Sequence, residues 1–432
     1  MILTAKISVF VGFVKILLIF VLMRKISANK IYPVSSSPIE NGVIIVDDNG
    51  KIIAIDTLEN YDKTTIEFFE GVIVPGFINA HCHLELSHLN GVAQTGTGLI
   101  DFISQVIKNR NHSQEIIQEA IAREEKNMID SGIVAVGDIS NTTDSFAQKQ
   151  KENLHYYTFV EYFDLFQENN TQNILQQYDA VYNALTETAK NKKSKVPHAP
   201  YSVSRKLFDL LTRHAELVSA SKIPTQSRYS SVRNDVTVSI HNQETLPENE
   251  LFLSKTGDFI SFYNRIGCDS SDIPKLEKPS IYYALEYLQK ENRNLFVHNT
   301  LTTKEDIENA HLQLSKEKVF WATCPNANLY IENCLPNYKN FIETNAQVCI
   351  GTDSLTSNWQ LNVLEEMKTI LKYQSYVDFE TVLIWATLNG AKALGFADSL
   401  GTIEIGKTPG LVLIKNMENG TLTNDSKSKK IV

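Results

Sequence analysis

His81 and His83 stand two apart in the segment PGFINAHCH. On an extended strand, residues two apart share a face, so both imidazoles point one way and Cys82 points the other. Two neutral imidazoles fixed on one strand suit a borderline divalent ion such as zinc. Three more histidines and an aspartate sit in similar contexts, each closing a short apolar run: His198 in VPHAPYS, His241 in VSIHNQE, His298 in LFVHNT and Asp353 in IGTDS. Five of the ten histidines therefore fall at inferred strand ends. Core packing explains this poorly, because a buried imidazole needs a partner. A metal site is the expectation. One rival zinc chemistry fails on spacing: His83-Leu84-Glu85 fits the H-x-E half of the nucleobase-deaminase motif, but Cys324-Pro325 reverses the P-C-x-x-C half and no second thiol follows.

Strands must position these residues. Eight short apolar segments recur through the middle of the chain, separated by charged helical stretches: VPGFINAHCH, GIVAVGDIS, YTFVEYFDL, VPHAPYS, TVSIHNQE, NLFVHNT, VFWATCPNAN and QVCIGTDS. Strand–helix alternation implies right-handed βαβ units and a parallel sheet. Eight units, nearly all ending in His, Asp, Glu or Asn, favour an α/β fold closed as a (β/α)8 TIM barrel over an open sheet, since barrels carry their chemistry at the carboxyl ends of the strands. Outside this middle, VIIVDDNGKIIAI reads as a hairpin around Asp-Asn-Gly. GTIEIGKTPGLVLI repeats the same short-strand style near the other end. The expected domains are a barrel over 75–399 and a small β-sandwich assembled from 23–74 and 400–432. Helix-to-strand loops usually take about 2–6 residues, so the Ser-rich stretch at about 215–235 reads as a dispensable insertion on the face away from the chemistry.

Composition narrows the class. The chain has 432 residues, 43% hydrophobic and 21% charged, which suits a globular protein and excludes a disordered one. With 41 basic against 50 acidic residues the net charge is −9, so nucleic acid is not the expected partner. Five scattered cysteines without a CxxC read as reduced thiols of a cytoplasmic protein. Ile7 to Met23 is apolar but interrupted by Gly12 and Lys15, and falls short of the about 20 residues a bilayer core takes. No cleavage pattern follows it. Met23 opens what looks like the start of a soluble domain, so residues 1–22 are expected to be an extension outside the native protein. Stable membrane association is expected only if they belong to it.

PGFINAHCH, HAPYS, HNQE, FVHN, CPNAN and GTDS, in that order and spacing, resemble the amidohydrolase superfamily from about Met23 to the end of the chain. The resemblance implies a (β/α)8 barrel with a terminal β-sandwich and four metal ligands: His81, His83, His241 and Asp353. Binuclear members carry a lysine or glutamate at the end of the fourth strand, where this chain has His198. That resembles the mononuclear deaminase and chlorohydrolase branch and implies one divalent ion, zinc in the first place, although iron suits the same ligands. In such a site Asp353 is both ligand and base. Glu244, three residues past His241, would carry a proton from the water to a ring nitrogen and then to the departing amine. His298 would orient the water and stabilise the tetrahedral oxygen.

The resemblance implies a small-molecule substrate. His198 and Tyr201 in HAPYS resemble the segment of aminopurine-nucleoside deaminases whose histidine contacts the sugar, and Ser357 lies just past Asp353. S-adenosylhomocysteine and methylthioadenosine deaminases carry an arginine soon after their HxH; this chain has Glu85 and His88 there. The H-x-E-x-S pattern, with HAPYS, FVHN and TDSLTSN, resembles the 6-amino-6-deoxyfutalosine deaminases of menaquinone biosynthesis. Guanine, S-adenosylhomocysteine and triazine-type hydrolysis are the alternatives. Asn328 is expected to line the site from CPNANLYIENCLPN, read as a pocket rim. In NWQLNVLEEMKTILKY, the residues Leu361, Leu364, Met367, Ile370 and Leu371 fall at helical spacing, fit for core or subunit contact, which leaves a homodimer open. A non-catalytic scaffold of the same fold should have lost ligands, and here all four are present.

Overall fold

Eight central strands alternate with helices: β1 Phe77–Cys82, β2 Ile133–Ser140, β3 His155–Tyr162, β4 Asn191–Pro197, β5 Thr237–Asn242, β6 Arg293–His298, β7 Val319–Thr323 and β8 Gln347–Ile350. In this computed structural model the described residues are 3–6, 19–220 and 236–432, with side chains described for 23–212 and 236–432. Seven of the eight lie in or start close to the segments expected of them; β4 ends at Val196-Pro197, where the expected strand VPHAPYS begins, and Pro200–Ser202 forms a helical turn. Their runs are apolar because both faces are covered: every residue of β2, β6 and β7 is buried.

The strands pair in parallel as two four-stranded sheets, β4-β3-β2-β1 and β5-β6-β7-β8. Hydrogen bonds link both pairs of outer edges. Ser194 Oγ donates to the Thr237 carbonyl at 2.7 Å and His241 N to the His198 carbonyl at 2.9 Å. On the other side, Thr352 N and Asp353 N both donate to the His81 carbonyl at 3.0 Å. One cluster of buried residues, including Ala80, Phe159, Val196, Val297, Ala322 and Cys349, draws on both sheets. A larger cluster, including Cys82, Phe296 and Trp321, lies between the strands and the helices.

The chain ends form a third sheet. Arg24–Ile31, Gly42–Val46, Ile52–Thr57 and Glu67–Pro75 from the amino-terminal side join Leu411–Lys415 and Lys427–Lys430 in one hydrogen-bonded array. The expected hairpin is there, with Val43–Val46 antiparallel to Ile52–Asp56. The sheet has its own core of Ile26, Ile44, Ile52, Ile73, Leu411 and Leu413.

Three sequence readings need correction. GTIEI, at 401–405, forms no strand: Ile403 N donates to the Pro33 carbonyl, and the segment runs as turns. The strand expected over VFWATCPNAN stops at Thr323, and the PNAN part opens a helix, Pro325–Glu332, started by Pro325 at its first turn and closed by Asn333 in the left-handed region. The helix before the insertion runs on from Arg205 to Ala220, so part of the expected insertion is helical, and 221–235 lie outside the described residues. Of residues 1–22, only Leu3–Lys6 and Ile19–Leu22 are described, as an antiparallel pair. The question of where the native chain starts otherwise lies outside the described residues. Among the described residues no helix is long and apolar enough to cross a membrane.

Candidate metal centre

His81 and His83 leave β1 toward the space at the carboxyl ends of the strands, while Cys82 packs into the cluster under the helices. Strict alternation would not deliver this, because Ile78 and Ala80 face the inner cluster. The register of β1 against β2 shifts between Asn79 and Cys82, and a shift of that kind re-aims the side chains beyond it. Asn79 secures the bend: its Oδ1 accepts from Thr352 N at 3.0 Å and its Nδ2 donates to Thr352 Oγ1 at 2.8 Å. Gly351 lets β8 press against this strand, since a Cβ there would lie 2.8 Å from His81 Cβ and 2.9 Å from its carbonyl oxygen.

His298 arrives by another device. Phe296, two residues earlier, belongs to the cluster under the helices, and alternation would send His298 the same way. A φ of 70° at His298, and 59° at Asn299, turns the imidazole inward, where its ring centroid lies 5.4 Å from that of His241. Asp353 also sits at positive φ, 58°. Such conformations cost about 1–3 kcal/mol each in non-glycine residues and gather at functional sites. Here they are held by Asn299, which donates to the Phe296 and Ala322 carbonyls, and by the Asp353 N–H on the His81 carbonyl.

These turns bring four histidines and one carboxylate together. His81 Nε2 and His83 Nε2 are 3.1 Å apart. Asp353 Oδ1 lies 3.6 Å from the first and 3.2 Å from the second. Ligand atoms of His81, His83 and His241 lie within 4.8 Å of one another, as do those of His81, His298 and Asp353. Two atoms each bonded at about 2.05 Å to one tetrahedral zinc are about 3.3 Å apart, so the observed spacing fits a shared cation. The donor set fits as well. Burial pushes the His81 imidazole down to about 3, which keeps it neutral. Burial alone would raise the Asp353 carboxyl, but His81 and His83 beside it hold it well below the usual range.

Around this group stand residues that fix it. Ser357 Oγ donates to Asp353 Oδ2 at 2.6 Å. Glu161, at the end of β3, places Oε1 3.2 Å from His241 Nδ1, which also lies 2.9 Å from the His198 carbonyl oxygen. Glu161 was not singled out in the sequence, since YTFVEYFDL offers no spacing partner for it. Its carboxyl is held down to about 2 although burial opposes this, because His198 and His241 flank it. His198 Nδ1 lies 2.7 Å from Ser202 Oγ, and its ring centroid is 4.7 Å from that of His241.

Glu244 follows β5 and is buried, with Oε1 3.7 Å from His298 Nε2. Burial pushes its carboxyl well above the usual range. Glu248, another residue the sequence reading passed over, accepts the N–H groups of Gln243 and Glu244 at 2.9 Å and the Ser280 hydroxyl at 2.6 Å, and so clamps this turn. His298 Nδ1 lies 2.9 Å from Asn328 Oδ1, and Asn328 Nδ2 is buried without a partner among the described residues. Tyr201 is buried and stacks on Phe259. Glu85 turns away from the group: its oxygens accept from Asn141 N, Thr142 N and Thr142 Oγ1 at 2.9–3.2 Å.

The profile of the Amidohydrolase family matches residues 72–432. An adenosine deaminase of Helicobacter pylori is 28% identical over 353 residues, spanning 80% of this chain and 80% of that protein. An aminodeoxyfutalosine deaminase of Nitratiruptor is 27% identical over 399 residues, spanning 87% and 88%. The crystal structure of Helicobacter pylori aminofutalosine deaminase in complex with methylthio-coformycin superposes with a TM-score of 0.76 over 95% of this chain and all of that one; at 24% identity the likeness is one of fold.

Proposed function

Because this chain belongs to the amidohydrolase family, hydrolases that act on C–N bonds, we propose that it is a metal-dependent deaminase of an aminopurine nucleoside, with 6-amino-6-deoxyfutalosine the favoured substrate. The approach of His81 and His83 to His241 on one side and to Asp353 on the other supports this reading. The names of the Helicobacter and Nitratiruptor relatives support a nucleoside substrate. We read the two parallel sheets as halves of one closed (β/α)8 barrel. The hydrogen bonds along both seams and the core drawn from both sheets support this. The strands from both termini are read as the accessory β-domain.

His81, His83, His241 and Asp353 would hold one divalent ion, zinc in the first place, whose chemistry is Lewis-acid activation of a water. The protein's own groups do the rest. Asp353, ionised beside two imidazoles, accepts the water's proton at a carboxylate oxygen. Glu244, whose buried carboxyl favours its protonated form, gives its proton to a ring nitrogen of the purine, takes up the remaining proton of the attacking water and passes it to the amine, which leaves as ammonia; the proton held by Asp353 then restores Glu244. His298 donates Nδ1–H to Asn328 Oδ1, which leaves the Nε2 lone pair facing the site to orient the water. The unpartnered Asn328 Nδ2 and the ring of His198 are the proposed substrate contacts, closing the pocket around the base and sugar. Glu85 and Ser357, expected to touch substrate, spend their polar groups on the protein partners described above, whereas for Tyr201 only the ring is engaged, on Phe259; we read Ser357 as a support of Asp353.

The test is direct. The protein should contain one equivalent of metal and release ammonia from aminodeoxyfutalosine faster than from adenosine, guanine or a triazine. Glu244→Gln should keep the metal and lose about 10²–10⁴-fold in turnover. Protein prepared without chelators that holds no stoichiometric metal, or full turnover in Glu244→Gln, would overturn the reading.

A further inference from the structure

One fully buried carboxyl group has no part in the chemistry proposed above. Glu366 lies on the covered face of the helix Val363–Tyr373, with Val363, Met367 and Ile370, and is 0% exposed. No cation pairs with it among the described residues. Burial pushes its carboxyl up to about 8, although the amide groups of Asn326 and Asn358 pull the other way. A helix that only had to pack would do as well or better with an apolar residue there, since burying an ionisable group costs stability.

The partners of Glu366 show what it holds. Oε2 accepts the Asn326 N–H at 2.9 Å, and Oε1 accepts from Asn326 Nδ2 at 2.9 Å and from Asn358 Nδ2 at 2.8 Å. Asn326 stands in the first turn of the helix Pro325–Glu332, where an N–H has no partner within the helix. Two residues on, the same helix carries Asn328, whose Oδ1 lies 2.9 Å from His298 Nδ1. Asn358 follows Ser357, and its Nδ2 also donates to the Thr352 carbonyl at 2.7 Å. The Thr352–Asp353 peptide is thereby held at both ends, because its N–H donates to the His81 carbonyl. The plane of that peptide supports the φ of 58° at Asp353. Neither amide is free to turn over. Asn358 Oδ1 accepts the N–H groups of Trp359 and Gln360, and Asn326 Oδ1 accepts from Thr369 Oγ1.

We infer that Glu366 is a positioning residue for the deamination, one buried carboxyl group that sets Asn328 against His298 and Asp353 against the cation together. The inference rests on the function proposed above and deepens it. Glu366 touches neither substrate nor reacting atoms; it acts through Asn326 and Asn358. Misplacement by about 1 Å at such a remove can cost about 10²-fold in rate.

Glu366→Gln keeps an acceptor for the two side-chain amides and sets an NH2 group against the Asn326 N–H. With aminodeoxyfutalosine, its kcat should fall by roughly 10–10²-fold and its KM should stay within about a factor of two. In an Asn328→Ala background the same change should cost less than about a third as much, because the residue it acts through is gone. Glu366→Ala, which releases both loops, should also weaken zinc binding by about tenfold or more in competition with a chelator. Where either variant does not fold, Asn326→Ala and Asn358→Ala, which each cut one arm and leave Glu366 in place, carry the same expectations. Equal fractional losses with and without Asn328, a loss confined to KM, or wild-type zinc affinity in Glu366→Ala would overturn the inference and leave the deaminase reading intact. If the wild-type holoenzyme deaminates no nucleoside, that reading fails and the positioning is tested alone. The His298 imidazole NMR signals of the zinc-loaded protein should then move in Glu366→Gln, and unmoved signals would remove the inference too.

Discussion

Glu161 Oε1 lies 3.2 Å from Nδ1 of His241, and this contact decides which nitrogen His241 offers to a cation. With Nδ1–H shared between that carboxylate and the His198 carbonyl, Nε2 is the nitrogen left for a cation; although burial opposes it, Glu161 pushes the imidazole up to about 9, so a bound cation takes the place of the Nε2 proton. Carboxylate–histidine pairs of this kind fix both tautomer and ring angle. Glu161→Ala is therefore expected to weaken metal binding by about 10–100-fold. Glu161→Gln, which can still accept the N–H, should weaken it less. Competition against a coloured chelator measures both. Equal affinity in wild type and Glu161→Ala would mean that the His198 carbonyl suffices.

Ser357 has the corresponding position on Asp353, donating to Oδ2 at 2.6 Å while Oδ1 faces His81 and His83. Its hydroxyl makes a charge-assisted bond that stabilises the carboxylate and holds its plane. Ser357→Ala should retain metal at high concentration but lose about tenfold or more in activity or affinity. Measured with aminodeoxyfutalosine, the loss should fall on kcat rather than KM. A rise in KM alone would show instead that Ser357 touches substrate.

Much of this was legible in the sequence because strands and ligands announce themselves together. His81, His83, His241 and Asp353 each close an apolar run, and the runs are apolar because they are covered on both faces. What stayed hidden has physical reasons. The whole of β4 reads NKKSKVP, unlike a buried strand, yet Lys193 donates to the Tyr182 and Leu185 carbonyls and Lys195 pairs with Asp179. Long side chains covered the strand while keeping their ammonium groups served. Glu161 carries no local pattern, since its partners His198 and His241 lie 37 and 80 residues away. The inward turn of His298 depends on a φ of 70° that a histidine does not advertise.

Asp138 and Lys149 form a fully buried ion pair, Oδ2 to Nζ at 2.6 Å. Lys149 also donates to Ser140 Oγ at 2.9 Å and Thr158 Oγ1 at 3.1 Å. The other Asp138 oxygen accepts the N–H of Leu84, the residue after His83, at 2.8 Å. The pair thus ties β2 to the exit of β1. Removing one member leaves an unpaired buried charge, so Asp138→Asn or Lys149→Met should each destabilise by about 3–5 kcal/mol in urea unfolding. The double variant should recover a large part of that. Single losses below about 1 kcal/mol would mean that water or backbone already solvates the remaining charge.

His155 sets an acid limit on stability far from the metal. It opens β3 while Glu161 lies near that strand's other end, about 20 Å away along an extended chain. Burial, aided by Lys190, pushes its imidazole down to about 4 in the folded protein, against about 6.5 in an unfolded chain. Between those values the unfolded state binds the extra proton, so folding stability is complete above about pH 6.5 and declines as pH falls toward 4. His155→Phe removes this titration and keeps the edge-on packing against Phe396, ring centroids 5.3 Å apart in the wild type. Urea midpoints taken from pH 7 to 4.5 should fall less steeply in the variant than in the wild type, while both respond equally above pH 7. Parallel curves through the acid range would show that His155 is charged in the folded protein.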